Sequence, residues 1–197
     1  MIAGIVLAAG RSRRMGSPKA LLRLGPATFL ERAVSALGAG GCGAVVVVTG
    51  PATDETAREI AAAAAQLGAE VAVNPDIGSE QIDSLRAGLR ALGGDAEAAV
   101  VLPVDVPGVA AELVRAVIDR FRATEAPVVQ PFDGTRHGHP VLFARAAWPA
   151  LLEGELPEGA RTVIRAHEAE RAEVPVPRLD ADVDTPDDYR RLLEGTG

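Results

Sequence analysis

The sequence predicts an α/β fold built on a mainly parallel sheet with helices on both faces. Two observations support this: apolar runs of strand length alternate with segments of helical spacing, and the strands are apolar throughout instead of alternately polar. Continuous apolar character is typical of parallel strands that are buried on both faces. The predicted strands up to residue 131 are 2–9, 44–49, 70–73, 98–104 and 127–131. The predicted helices between them are 28–37, 54–67, 83–92 and 110–123.

Local signals support the individual elements. Residues 2–9 are an apolar run that ends in a loop rich in Gly, Ser and Arg, which indicates a buried strand followed by a functional loop. Asp54 is the predicted N-cap of the second helix, and Gly68 is its stop. Beyond residue 131 the alternation is looser. There we predict strands at 140–143 and 173–177, the latter at a sheet edge, and helices at 161–168 and 186–193.

Composition excludes several classes of function. The 197 residues carry a net charge of −7 and only 3% aromatic side chains, which argues against general binding of nucleic acid or anionic membranes. Cys42 is the only cysteine, so no intrachain disulfide can form. The first apolar run precedes its basic residues, the reverse of a secretory signal, and no apolar run approaches the length of a membrane span. We therefore expect a cytoplasmic protein of one domain.

One glycine pattern is misleading. Gly38, Gly40 and Gly43 match G-x-G-x-x-G, but a dinucleotide-binding fingerprint must follow a strand and open a helix. Here the pattern follows a predicted helix and opens a predicted strand. We therefore interpret it as a turn between the two elements.

The loop LAAGRSRRMGSPK, residues 7–19, is the strongest candidate for phosphate binding. It is not a P-loop, because it lacks Gly-Lys-Ser/Thr. Gly10 still lets backbone N–H groups approach an anion closely, and Ser12 can add a hydroxyl. Four cations lie within nine residues, a charge that suits a triphosphate: Arg11, Arg13, Arg14 and Lys19. The alternative is an ordinary solvated basic loop.

Two acidic segments are candidates for metal binding. Asp105 follows an apolar strand, and Asp180, Asp182 and Asp184 alternate, so that an extended chain would point them to one side. Close carboxylates repel each other, and Mg²⁺, which prefers one or two carboxylates with phosphate oxygens and water, would relieve that repulsion. The alternatives are a turn residue for Asp105 and, for the second segment, an acidic loop that ends in a helix cap at Thr185.

Two further segments could shape binding pockets. In GTRHGHPVLF, His137 and His139 could form a metal pair, but two histidines usually need a further ligand, so we favour a loop in which Gly138 and His139 shape a pocket. Ser84 and Arg86 stand early in a predicted helix and could form a polar edge for a base. The alternative there is a capped helix with a solvated arginine.

These segments together resemble the MobA-like nucleotidyltransferases, most closely the molybdenum cofactor cytidylyltransferases. The resemblance rests on LAAGRSRRMGSPK, NPD…SLRAGL, Asp-x-Pro after the fourth strand, R-x-GHPVLF, GAR at 159–161 and D-x-DTPDDY, all in the expected order. It implies a Rossmann-like three-layer nucleotidyltransferase fold in one domain, 1–197. Residues 1–131 would bind the nucleotide, and residues 132–197 would form the acceptor side.

The resemblance also implies roles for individual residues. Base and ribose would contact Leu7, Ala8, Ala9 and Gly10, and the triphosphate would contact Arg11, Ser12, Arg14 and Lys19. Ser84 and Arg86 would lie near the base, and Gly138 and His139 near the acceptor. Asp105 and Asp184 would hold Mg²⁺, with Asp182 behind them. Arg14, Lys19 and Asp105 would be the catalytic residues.

The implied activity is nucleotidyl transfer: an acceptor phosphate attacks the α-phosphorus of a nucleoside triphosphate and releases pyrophosphate. Ala9, where the guanylyltransferases of the family carry a second Gly, favours CTP. Val104 and Val106 depart from the small residue and Gln that usually flank the family's Asp, which leaves the acceptor open between molybdenum-pterin cofactor and a sugar or alcohol phosphate. A nucleotide-sensing module is the alternative without catalysis.

Overall fold

A seven-stranded sheet organises the residues that the computed structural model describes, which are 1–10, 15–76 and 80–195. Its strands are β1 Ile2–Leu7, β4 Ala44–Thr49, β5 Glu70–Val73, β6 Ala98–Pro103, β7 Val128–Phe132, β8 Val141–Ala144 and β9 Ala172–Pro175. A separate hairpin joins β2 Arg23–Leu24 to β3 Ala27–Thr28. The helices are α1 Phe29–Gly40, α2 Glu55–Gln66, α3 Gln81–Ala91, α4 Ala111–Thr124, α5 Trp148–Glu153, α6 Ala160–Ala166 and α7 Pro186–Glu194.

The sheet confirms the predicted α/β architecture. Its strand order is β5-β4-β1-β6-β8-β7-β9, and β5, β4, β1 and β6 are all parallel. β8 is antiparallel to both of its neighbours, and β9 is an edge strand parallel to β7. A cluster of buried apolar side chains covers each face of the sheet. One contains residues of α1, α2 and α4, and the other contains residues of α3, α5 and α6. The result is a three-layer arrangement.

Most predicted elements are present, with shifts at their ends. Strands 44–49 and 70–73 agree with the structure, whereas the first strand ends at Leu7 instead of residue 9. The glycine pattern is the predicted turn, because α1 ends at Gly40 and Gly41 adopts a left-handed conformation (φ 112°) before β4. Asp54 caps α2 by accepting a hydrogen bond from the amide of Ala57 (3.2 Å). The β2–β3 hairpin and α5 were not predicted, because both are too short to show a periodic pattern.

No helix among residues 1–10, 15–76 and 80–195 is long and apolar enough to cross a membrane.

Candidate active site

The carboxyl ends of β1 and β6 form the floor of the candidate site. The two strands pair in parallel with Leu7 opposite Pro103, and the amide of Val104 donates to the carbonyl of Leu7 (3.1 Å). The chain that leaves β1 through Gly10 and the chain that leaves β6 through Asp105 therefore start at the same edge of the sheet. Ligands of open α/β sheets bind at this edge.

Lys19 bridges the two predicted metal-binding carboxylates. Its Nζ donates to Oδ2 of Asp105 (3.0 Å) and to Oδ1 of Asp184 (2.6 Å). The amide of Val183 donates to the carbonyl of Asp105 (2.9 Å), which ties the acidic segment before α7 to the end of β6. The structure thus brings together Lys19, Asp105 and Asp184, which we call the Lys–Asp triad, from three distant parts of the sequence.

The electrostatics of the triad follow from this geometry. Burial opposes the charge on Lys19, but hydrogen bonds to Asp184 and Asp105 outweigh it and raise the pKa of the ammonium above its usual value. The pKa of Asp182 is also raised, first by burial and then by the nearby charges of Asp105 and Asp184. The sequence predicted Mg²⁺ at these carboxylates and assigned Lys19 to the triphosphate; in the structure the ammonium of Lys19 contacts both carboxylates.

The donor set fits a magnesium ion that also binds substrate. Asp105 and Asp184 contact the same ammonium, so their carboxylates face one point of positive charge. The described residues contain no group of three or more acidic, histidine or cysteine side chains arranged for a metal. Two carboxylates are nonetheless enough for Mg²⁺, which usually takes its remaining ligands from phosphate and water.

A cavity of about 450 Å³ lies beside the loop that follows β1. Ala8, Ala9 and Gly10, three of the four residues expected to contact base and ribose, line it, whereas Leu7 lines a different cavity. The remaining lining residues are Gly16, Ser17, Pro18, Gly50, Pro51, Asp54, Thr56, Ala57, Ile60 and Asp76. Arg11, Ser12, Arg13 and Arg14 lie outside the described residues. Among the described residues, no atom lies within 4 Å of where a Cβ at Gly10 would be.

A larger cavity, of about 1040 Å³, lies on the α3 and α6 side of the sheet. Gly138 and His139, the two residues expected near the acceptor, line it. Burial lowers the pKa of His139 to about 4, against the opposing effect of Asp105 and with a further lowering by Arg161. His139 is therefore neutral at physiological pH. Its Nδ1 is buried and has no hydrogen-bond partner among the described residues.

The two histidines do not form a metal pair. Nε2 of His137 lies 2.6 Å from Oε1 of Glu173, and its ring stacks on Phe132 with 4.6 Å between ring centroids. Through Glu173, this contact holds the loop that precedes β8 against strand β9.

Ser84 and Arg86 have structural partners instead of an open polar edge. Ser84 is buried and accepts a hydrogen bond from Nδ2 of Asn74 (3.0 Å). Arg86 donates through Nε to the carbonyl of Leu151 (2.9 Å) and through an Nη to the carbonyl of Gly154 (2.5 Å). Arg86 thereby ties α3 to α5, and neither residue is among those described as lining the two cavities. The arrangement gives no support to a base contact by either side chain.

Sequence reasoning missed two buried polar residues, one directly after a strand and one inside a strand. Asn74 is buried after β5, and its Oδ1 accepts from the amide of Asp76 (3.2 Å), which lines the smaller cavity. Gln130 is buried within β7 and lines the larger cavity. The signal for both was present: a polar side chain inside or directly after an apolar strand needs a partner, and such a partner can be a ligand.

Fold and site together define a nucleotidyltransferase, and comparisons with known proteins agree. A model of the MobA-like NTP transferase domain matches residues 4–172. This chain belongs to that family. A protein of Mycobacterium avium named "Probable molybdenum cofactor guanylyltransferase" is 32% identical over 199 residues, which cover 98% of this chain and 95% of that protein.

Solved structures extend the agreement to the fold. The crystal structure of Rv0371c from Mycobacterium tuberculosis has a TM-score of 0.86 at 32% identity and covers 98% of both chains. A complex of that protein with manganese has a TM-score of 0.81 at 30% identity, again with 98% of both chains covered. The predicted Rossmann-like nucleotidyltransferase fold is thereby confirmed.

Proposed function

We propose that this protein transfers a nucleoside monophosphate from a nucleoside triphosphate to the phosphate of a molybdenum-pterin cofactor. The observation that supports this most strongly is the Lys–Asp triad, in which Lys19 contacts both carboxylates and whose chain neighbours line both cavities. Pro18, next to Lys19, lines the smaller cavity, and Asp182, two residues before Asp184, lines the larger. A reaction that joins two bound molecules needs its charged groups at such a junction.

In the proposed reaction an oxygen of the acceptor phosphate attacks the α-phosphorus of the nucleotide. A phosphorus–oxygen bond forms to the acceptor, the bond between the α-phosphorus and the bridging oxygen breaks, and pyrophosphate leaves. The backbone at Gly10 and the cations Arg11, Arg14 and Lys19 bind the triphosphate, with Ser12 adding a hydroxyl. Arg14 and Lys19 then stabilise the charge on the departing pyrophosphate.

A divalent ion, which we take to be Mg²⁺, would bind at Asp105 and Asp184 and neutralise phosphate charge. The chain's own contribution is to place both carboxylates and Lys19 at one point. Lys19 can serve both the carboxylates and a phosphate, because its ammonium has three donors and a flexible stem.

The smaller cavity is the proposed nucleotide site, and all of its described lining residues fall within 1–131. CTP is our first candidate, because the side chain of Ala9 narrows the wall where the guanylyltransferases of the family carry glycine. GTP is the second candidate, because relatives matched over nearly the whole chain carry the name guanylyltransferase. Few residues contact a base, so proteins of about one-third identity can share a reaction and differ in nucleotide.

The test is pyrophosphate release with ATP, CTP, GTP or UTP, each with molybdenum-pterin cofactor, a sugar phosphate or an alcohol phosphate as acceptor. We expect turnover with the cofactor and CTP. Turnover only with a sugar or alcohol phosphate would replace the proposed acceptor. Binding of nucleotide without turnover on any acceptor would favour the nucleotide-sensing module.

Thermal stability provides an independent comparison of CTP with GTP. Nucleotide at about 100 times Kd should raise the free energy of unfolding by about 2.7 kcal/mol, or the midpoint by about 5–11 °C for a chain of this size. A larger shift with GTP than with CTP at equal concentrations would overturn the CTP assignment and leave the class of enzyme unchanged.

A further inference from the structure

The larger cavity contains a buried polar side chain to which the proposed reaction assigns no role. Gln130 lies in the centre of β7 between buried apolar neighbours and is only 7% exposed. Its Oε1 is buried and has no hydrogen-bond partner among the described residues. An unpaired buried acceptor costs folding free energy, and buried polar groups in proteins nearly always have a partner. The missing partner is therefore expected in a ligand.

The strand geometry places Gln130 on the wall of the larger cavity. Alternate residues of a strand point to the same face of the sheet, and the apolar cluster on the α3 side includes Val128. Val141 and Phe143 of the neighbouring β8 line the same cavity as Gln130. None of these residues lines the smaller cavity beside Gly10. A ligand of Gln130 is thus the acceptor and not the nucleotide.

The chemistry of the wall defines the class of ligand. Apolar lining comes from Val101, Phe143 and Leu85, and apolar walls with a few polar groups are typical of sites that bind ring systems. A primary amide presents a carbonyl acceptor beside an NH₂ donor, so it can pair with a ring N–H next to a carbonyl. His139, whose buried Nδ1 has no hydrogen-bond partner among the described residues, offers a second polar contact in the same cavity.

We propose that Gln130 is a specificity-determining residue that hydrogen-bonds the N–H and C=O edge of a planar nitrogen heterocycle in the acceptor. This inference rests on the proposed function, which requires an acceptor. It adds the contact by which the protein would select that acceptor.

The test compares wild-type protein with Gln130→Met, which keeps the length of the side chain and removes its polar atoms. Gln66→Met, at an exposed position of α2, is the matched control. The probe is free pterin, which contains such an edge, titrated by its own fluorescence. Nucleotide affinity, the KM for molybdenum-pterin cofactor and the melting temperature are measured on the same samples.

Gln130→Met should weaken pterin binding and raise the cofactor KM by about tenfold, the effect of one buried hydrogen bond. Nucleotide affinity should be unchanged. The melting temperature should be equal or higher, because the substitution removes an unpaired acceptor. A glutamine that serves only the fold would instead lower the melting temperature and affect both ligands alike.

Three outcomes would overturn the inference: wild-type protein that binds no pterin, pterin binding that is unchanged in Gln130→Met, or a fall in stability with equal weakening of both ligands. Failure of the proposed function has a different signature. Wild-type protein that binds pterin through Gln130 but transfers no nucleotide to any acceptor would refute the reaction and leave the contact in place.

Discussion

The ammonium of Lys19 lies 2.6 Å from a carboxylate oxygen of Asp184, although 165 positions separate the two residues in the sequence. The same ammonium is 3.0 Å from Asp105, and its side chain is only 13% exposed. Lys19 is the only lysine in the sequence. One charged group therefore connects the end of β6, the acidic segment before α7 and the loop that follows β1.

Replacement of this lysine should affect catalysis strongly. Lys19→Ala should lower turnover by roughly 10²–10³, the usual loss for one preorganised group that stabilises charge in the transition state. Arg58→Ala is the matched control, because Arg58 is an exposed cation on α2 beside the smaller cavity. The turnover of both variants is measured by steady-state pyrophosphate release. Equal losses in the two variants would mean that the region acts only as a diffuse positive field.

The pKa of Lys19 should lie above its usual value of 10.5 because of its two carboxylate partners. Because the sequence contains a single lysine, NMR can follow the titration of its ammonium group without overlap from other lysines. Asp184→Asn should move this pKa down. Since the folded pKa is the raised one, the stabilisation by Lys19 is complete below the unfolded pKa and is lost as pH rises through the folded value. A measured pKa at or below 10.5 would contradict the triad geometry.

Gly138 is required by close packing. A Cβ at this position would lie 2.6 Å from Cδ2 of Leu179, which is buried directly before the acidic segment. Gly138→Ala should lower stability by about 1–3 kcal/mol and reduce turnover by displacing that segment. Gly94→Ala is the control, because an added Cβ there has no described neighbour within 4 Å. The measurement is denaturant unfolding. Unchanged stability of Gly138→Ala would show that close packing does not require glycine at this position.

Arg86 should prove important for stability and neutral for nucleotide binding. Its guanidinium donates to the carbonyls of Leu151 and Gly154, which would lose a charged donor in Arg86→Ala. We expect a loss of about 1–3 kcal/mol in the free energy of unfolding. Arg90→Ala, exposed in the last turn of the same helix, should cost far less. If Arg86→Ala weakens nucleotide binding and leaves stability unchanged, Arg86 contacts the base, as the resemblance to the family implies.

The sequence predicted those features of the fold and site that depend on hydrophobic periodicity or on the position of a residue at the end of a strand. The apolar strands 44–49 and 70–73 were clear, and Asp105 could be placed at the ligand edge because it follows such a strand. The pairing of Lys19 with Asp105 and Asp184 could not be foreseen, because the direction of a long side chain depends on tertiary packing. The contacts of Arg86 with the carbonyls of Leu151 and Gly154 could not be predicted for the same reason. The insertion of β8 between β6 and β7 also escaped prediction, since an apolar four-residue run does not specify its neighbours.

We propose that Asp105 and Asp184 together form one site for nucleotidyl transfer. The most direct test is pyrophosphate release by Asp105→Asn and Asp184→Asn across a Mg²⁺ titration. Asp187→Asn is the control, because Asp187 is an exposed partner of Arg190 on α7. Asparagine keeps the size of the side chain and can still accept a hydrogen bond from Lys19, so the fold should persist. We predict that both variants lose Mg²⁺-dependent turnover while the control retains it. Wild-type turnover in either variant at ordinary Mg²⁺ would remove that residue from the site.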